Sequence, residues 1–170
     1  MTETSPSAPS QATIRRLKVS ATRANRMSID SYQCLQRFAA TMPTAEAIGR
    51  GRHTRAESDR VLLFAAISRE VAGLTTRISD ELMFLCSITI ASGIIRGEVR
   101  QRLAKALDNA QPAADHPIDL RQRRLRRMPI DAALGIIMDN LDLMCDQIDA
   151  LMLPLAESQQ TTSCDELARG

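Results

Sequence analysis

The chain has 170 residues, enough for one domain with a real core. Its 44% apolar and 25% charged content excludes a disordered or fibrous chain, and the absence of Trp, with one Tyr and three Phe, removes most strand-forming aromatics and favours helix. The net charge of +2 conceals an asymmetry: residues 1–127 carry 21 basic and 12 acidic side chains, whereas residues 128–170 carry one basic and eight acidic. Either the two parts neutralise each other within the domain, or the basic part offers a surface to an acidic partner.

Residues 1–11 are rich in Ser, Thr and Pro and are expected to be a disordered tail. The first helix is predicted over Thr13 to Met42, with a seam of Ile14, Leu17, Ala21, Ala24, Ser28, Ser31, Leu35, Phe38 and Met42. Its outward positions are basic (Arg15, Arg16, Lys18, Arg23, Arg26, Arg37), and Pro43 ends it by disfavouring a helical residue before it. Residues 43–54 read as a connector broken by Gly49 and Gly51.

Thr54 and Glu57 have the spacing of a capping box. From there a helix runs to about Asn109, with its seam at Ile67, Val71, Leu74, Ile78, Leu85, Ile88, Ile95 and Val99. Gly73, Gly93 and Gly97 are weak points, and a break or kink near Gly93–Gly97 would give two helices instead of one. The stretch from Leu82 to Ile90 is apolar nearly all round and predicts burial on several sides. The whole apolar run, Leu82 to Ile95, is too short and too interrupted by Ser and Thr to span a bilayer.

Residues 110–127 read as a linker, and its end concentrates Arg121, Arg123, Arg124, Arg126 and Arg127. These arginines are the candidate partner-binding residues. They are placed either to contact phosphates or to pair with the aspartates of the helix that follows. That last helix starts at Pro129 and shows the clearest pattern in the chain. Ile130, Leu134, Ile137, Leu141, Met144, Ile148, Leu151 and Leu155 recur in steps of four and three, with Asp131, Asp139, Asp142, Asp146 and Asp149 on other faces. Pro154 is expected to end or kink it, and residues 157–170 to form a disordered tail.

Together these readings give an all-α bundle of three long helices over residues 12–156, the second open to a split, between disordered termini. His53 and His116 fall in connectors, and no H-E-x-x-H, G-x-G-x-x-G, G-K-[ST] or G-x-S-x-G occurs, so neither catalysis nor a metal or cofactor is expected. The aspartate row is not read as a metal site, because dinuclear bundle sites project Glu and Glu-x-x-His inward. Cys34, Cys86 and Cys145 lie among apolar residues with no C-x-x-C pair and read as core side chains. With a polar N-terminal stretch lacking a signal-type apolar segment, they lead to the expectation of a cytoplasmic protein. An eight-position seam in a chain of few helices leaves apolar surface over and suggests a homodimer.

The stretch Glu70-Val-Ala-Gly-Leu74-Thr75-Thr76-Arg77 resembles the Glu-x-x-x-Leu-Thr-Thr-Arg stretch of the regulator-of-CtrA-degradation family, alphaproteobacterial helical adaptors for the ClpXP protease. The layout is similar too. Gly49-Arg50-Gly51-Arg52 precedes the central helix, Gly97-Glu98 follows it, and Ile148-Asp149-Ala150-Leu151 lies towards the end of the last one. The chain departs from the family in having no tryptophan after Arg77. The resemblance implies a non-enzymatic adaptor for regulated proteolysis and cell-cycle control, with a three-helix core, protein partners such as a protease and its client, and a flexible C-terminal tail. The alternatives are a basic nucleic-acid-associated helical protein, disfavoured by the scarcity of stacking aromatics, and a pure oligomerisation module.

Overall fold

The computed structural model describes residues 8–44, 49–51, 54–110 and 120–167, and side chains throughout these except at 110 and 157–167. His53, His116, the first seven residues and the stretch 111–119 lie outside the described residues. The described chain is helical, with no strand among its residues. In chain order the helices are α1 (Gln11–Ala40), α2 (Arg55–Ala91), α3 (Gly97–Ala110), α4 (Leu120–Leu125) and α5 (Ile130–Leu167). No helix of the described residues is long and apolar enough to cross a membrane.

The helix ends follow local chemistry. Ser10 caps α1: its hydroxyl accepts from the Thr13 amide at 3.1 Å, and its carbonyl accepts from the Ile14 amide. The helix therefore starts two residues before the predicted Thr13. At α2 the capping box forms as read. The Glu57 amide donates to the Thr54 hydroxyl at 3.2 Å, and the Thr54 amide donates to the Glu57 carboxylate at 2.6 Å. The long second helix does divide. Gly93 takes φ +70° and its amide donates to the Ile90 carbonyl, while the Ile94 amide donates to that of Thr89. This paired closure is a Schellman motif, and its left-handed residue is open to glycine at little steric cost.

The chain forms two compact units. The first combines residues up to Ala24 with Arg77–Leu143, and the second combines Asn25–Thr76 with the chain from Met144. In the first unit the core holds Ala24, Ile78, Phe84, Leu85, Ile88, Leu125, Ala133, Leu134, Ile137, Met138 and Leu141, all buried. In the second it holds Phe38, Ile67, Val71, Leu74, Met144, Cys145, Ile148 and Leu155. There Phe38 stacks on Phe64 with ring centroids 5.5 Å apart, and the Arg60 guanidinium lies over the Phe38 ring.

The predicted seams are the buried faces. No seam residue of α1 is exposed, and Ile67, Val71, Leu74, Ile78, Leu85 and Ile88 of α2 are all buried. Two expectations need correction. Val99 is 59% exposed, because the reversed φ at Gly93 and again at Gly97 resets the helical register, so the α2 seam does not carry into α3. Pro154 does not end the last helix, which continues to Leu167 and takes in most of the stretch read as a loose tail. A proline inside a helix costs about 3 kcal/mol. Leu155, the next residue, is 1% exposed, and burying a leucine contributes about 1.5–3 kcal/mol. The two are of similar size, so the helix runs through.

The seam has a direct test on one helix. Leu141 is fully buried and Leu143, two residues on, is 56% exposed. Leu141→Ala should destabilise by about 2–5 kcal/mol and Leu143→Ala by less than about 0.5 kcal/mol in urea melts. Equal losses at the two positions would show that the buried face is misassigned.

Candidate functional site

The five arginines read as a single basic cluster divide into distinct groups on and just beyond α4. Arg121 faces inward. Its guanidinium forks onto the Glu81 carboxylate, donating to Oε2 at 3.0 Å and to Oε1 at 2.5 Å. The Asn140 amide of α5 donates to the same Oε1 at 3.1 Å. Glu81 is 6% exposed, so this carboxylate sits on the apolar face of α2 between Ile78, Phe84 and Leu85 in sequence, and it needs those donors. Leu125, one helical turn after Arg121, is 3% exposed. Arg126 reaches Ser87 at 3.2 Å and lies over the Phe84 ring at 6.0 Å. These contacts fix α4 against the stretch of α2 from Glu81 to Ser87.

Arg123, Arg124 and Arg127 are on the other side. All three are exposed and make no ion pair with a carboxylate among the described residues. With Leu120 and Met128 they line a shallow recess of about 420 Å³. Leu120 is 79% exposed.

The aspartates of α5 find partners elsewhere. Arg16 of α1 pairs with Asp139 and lies 3.6 Å from Asp142. The Asp139 carboxylate, through hydrogen bond and charge, pushes the Arg16 guanidinium further above its ordinary value. Ser20 donates to Asp142 at 3.2 Å, and the Ser10 amide donates to Asp131 at 3.1 Å. The expectation that Arg121–Arg127 would neutralise this face is therefore corrected for Asp131, Asp139 and Asp142. Asp139 and Asp142 are met by Arg16 and Ser20 of α1, and Asp131 by Ser10 just before it, while Arg121 and Arg126 turn towards α2. Among the described residues no three of His, Cys, Asp and Glu converge as metal ligands.

The motif at residues 70–77 lies within α2. Leu74 is buried in the core of the second unit. The hydroxyls of Thr75 and Thr76 both donate to the Ala72 carbonyl, at 3.0 and 2.9 Å, and so are used on their own helix. Glu70, Thr76 and Arg77 are exposed. Of the cysteines, Cys145 is buried whereas Cys34 and Cys86 are only half-buried, and burial pushes the Cys86 thiol above its ordinary range.

Sequence reading misses Glu81 and Ser20. Glu81 interrupts an apolar stretch at a position in register with Ile78, Leu85 and Ile88, and that register is the signal that could have marked it as a buried acid in need of an arginine. Compared with known proteins, the chain matches no family model, no curated protein and no solved structure at a significant level.

The Arg121–Glu81 contact makes a prediction of its own. Arg121→Met leaves the Glu81 carboxylate with Asn140 alone and should cost about 1–3 kcal/mol. Adding Glu81→Leu should recover most of that loss, since an apolar pair of similar volume carries no desolvation cost. Thermal melts of the single and double variants check it, and additive losses would show that the two residues do not act as a pair.

Proposed function

We propose that this protein is a non-enzymatic regulatory adaptor that acts by binding other proteins in the cytoplasm, in regulated proteolysis and control of the cell cycle. The observation that carries the reading is the short helix α4. It is anchored from one side by Arg121, Leu125 and Arg126, and from the other it presents Arg123, Arg124 and Arg127 beside an exposed leucine. A rigid helical element with charged and apolar groups held outward is suited to recognising a partner, and recognition of this kind needs no reacting group. The likeness of Glu70–Arg77 to the adaptor family supports the same direction.

The protein is further read as a homodimer. In the second unit Ile29, Tyr32, Leu62 and Leu63 are 44–68% exposed, apolar surface of the kind that a second copy covers. Sedimentation equilibrium at high micromolar concentration should give twice the 18.7 kDa of the single chain. A single-chain mass throughout would overturn the dimer.

The adaptor reading is tested by protein turnover. Cells lacking this chain and cells expressing it are followed by pulse-labelling and mass spectrometry. A small set of proteins should show half-lives lengthened several-fold in its absence and restored on re-expression. No change in any half-life removes the reading.

A further inference from the structure

We infer that the recess formed by Leu120, Arg123, Arg124, Arg127 and Met128 is the docking site for an acidic peptide segment in which an apolar side chain stands between carboxylates. The biological setting of this inference rests on the adaptor reading above, while the binding event itself does not.

The site is built before any partner arrives. At 3.6 residues per turn, Arg121 and Leu125 share one side of α4, and Leu120, Arg123 and Arg124 come round to others. The inward pair is locked, Arg121 by its fork on Glu81 and Leu125 by full burial, so the backbone that carries the outward side chains is held in place. Arg127 is joined on by its amide, which donates to the Arg124 carbonyl at 3.1 Å and continues the turn. Three guanidiniums are thereby presented within one short segment, and no described carboxylate neutralises them.

Charge complementarity selects the occupant. Each guanidinium offers a planar fork matched to a carboxylate, and three of them match acidic residues spaced along a peptide. The recess between them is lined more by apolar than by polar surface, and Leu120 stands 79% exposed at its edge. An apolar side chain of the peptide fills that space and removes Leu120 from water. Nucleic acid suits the recess less well. Among the described residues no aromatic side chain lines it, so bases find no aromatic ring there on which to stack.

The test uses the full chain and a fluorescein-labelled peptide of sequence Gly-Glu-Asp-Leu-Glu-Asp-Gly, followed by fluorescence anisotropy. Saturable binding should appear at micromolar concentration and weaken with salt. Arg123→Gln/Arg124→Gln/Arg127→Gln should weaken it by about tenfold or more, and Leu120→Ser by a few-fold. The thermal melts of both variants should match that of the unaltered chain, because these side chains project away from the core. Replacing the peptide's acids with Asn and Gln should abolish binding, and replacing its leucine with serine should weaken it. No saturable binding, or equal binding by the triple variant, overturns the inference. A short DNA duplex that binds more tightly than the peptide and displaces it also overturns it, in favour of a phosphate-binding surface. Peptide binding that fails while client half-lives still depend on the chain sinks the docking site alone. Peptide binding that holds while no half-life changes sinks the adaptor reading alone.

Discussion

The fold rests on the apolar seam of α5. Leu134, Ile137 and Leu141 are fully buried in the first unit, and Met144, Ile148 and Leu155 are buried in the second. A helix with such a face is stable only when other helices cover it, because its length and propensity alone give marginal stability in water. The seam therefore dictates what α1 and α2 must be. Their buried residues also recur at three and four, and on α1 these include small ones, Ala24 at 0% and Ser20 at 2% exposure, with Ser20 donating to Asp142 of α5. Burial of one face also decides the other. The aspartates of α5 are kept off that face, and Arg16 of α1 meets Asp139 and Asp142 because the packing of the two seams in the first unit has already placed it there. Such exposed pairs follow the packing and are screened by salt, so they report the arrangement of the helices more than they create it.

Much of this was legible because it rests on periodicity and on short-range chemistry. The α5 seam, the capping box at Thr54 and Glu57, and the break at Gly93 each depend on residues within a few positions of one another. What was not legible depends on distance or on a balance. The partner of Arg121 lies 40 residues away on α2, and the two alternatives open from sequence, solvent-exposed phosphate binding or pairing with the next helix, did not include it. The failure at Val99 came from extending one register across two glycines with positive φ. The failure at Pro154 came from weighing the lost hydrogen bond without the buried leucine beside it. Of the candidate site, the concentration of arginine is visible in the sequence, but which of the five point inward is decided by Glu81, and that is a tertiary fact.

Glu81 is the least economical residue in the core and the most informative. A leucine at that position would pack against the same neighbours without a desolvation cost, so the acid is not explained by stability. What it supplies is directional contact. It accepts from Arg121 on α4 and Asn140 on α5 at once, and so sets the register of both helices against α2 in a way that interchangeable apolar contacts cannot. One carboxylate thus sorts the arginine cluster. By drawing Arg121 in, it fixes the rotation of α4 about its own axis, and that rotation is what leaves Arg123, Arg124 and Arg127 facing outward with Leu120. Where the basic residues are densest, no described carboxylate pairs with Arg123, Arg124 or Arg127. The buried acid beside them pairs with a single arginine of the cluster, Arg121, and orients the segment that carries the rest.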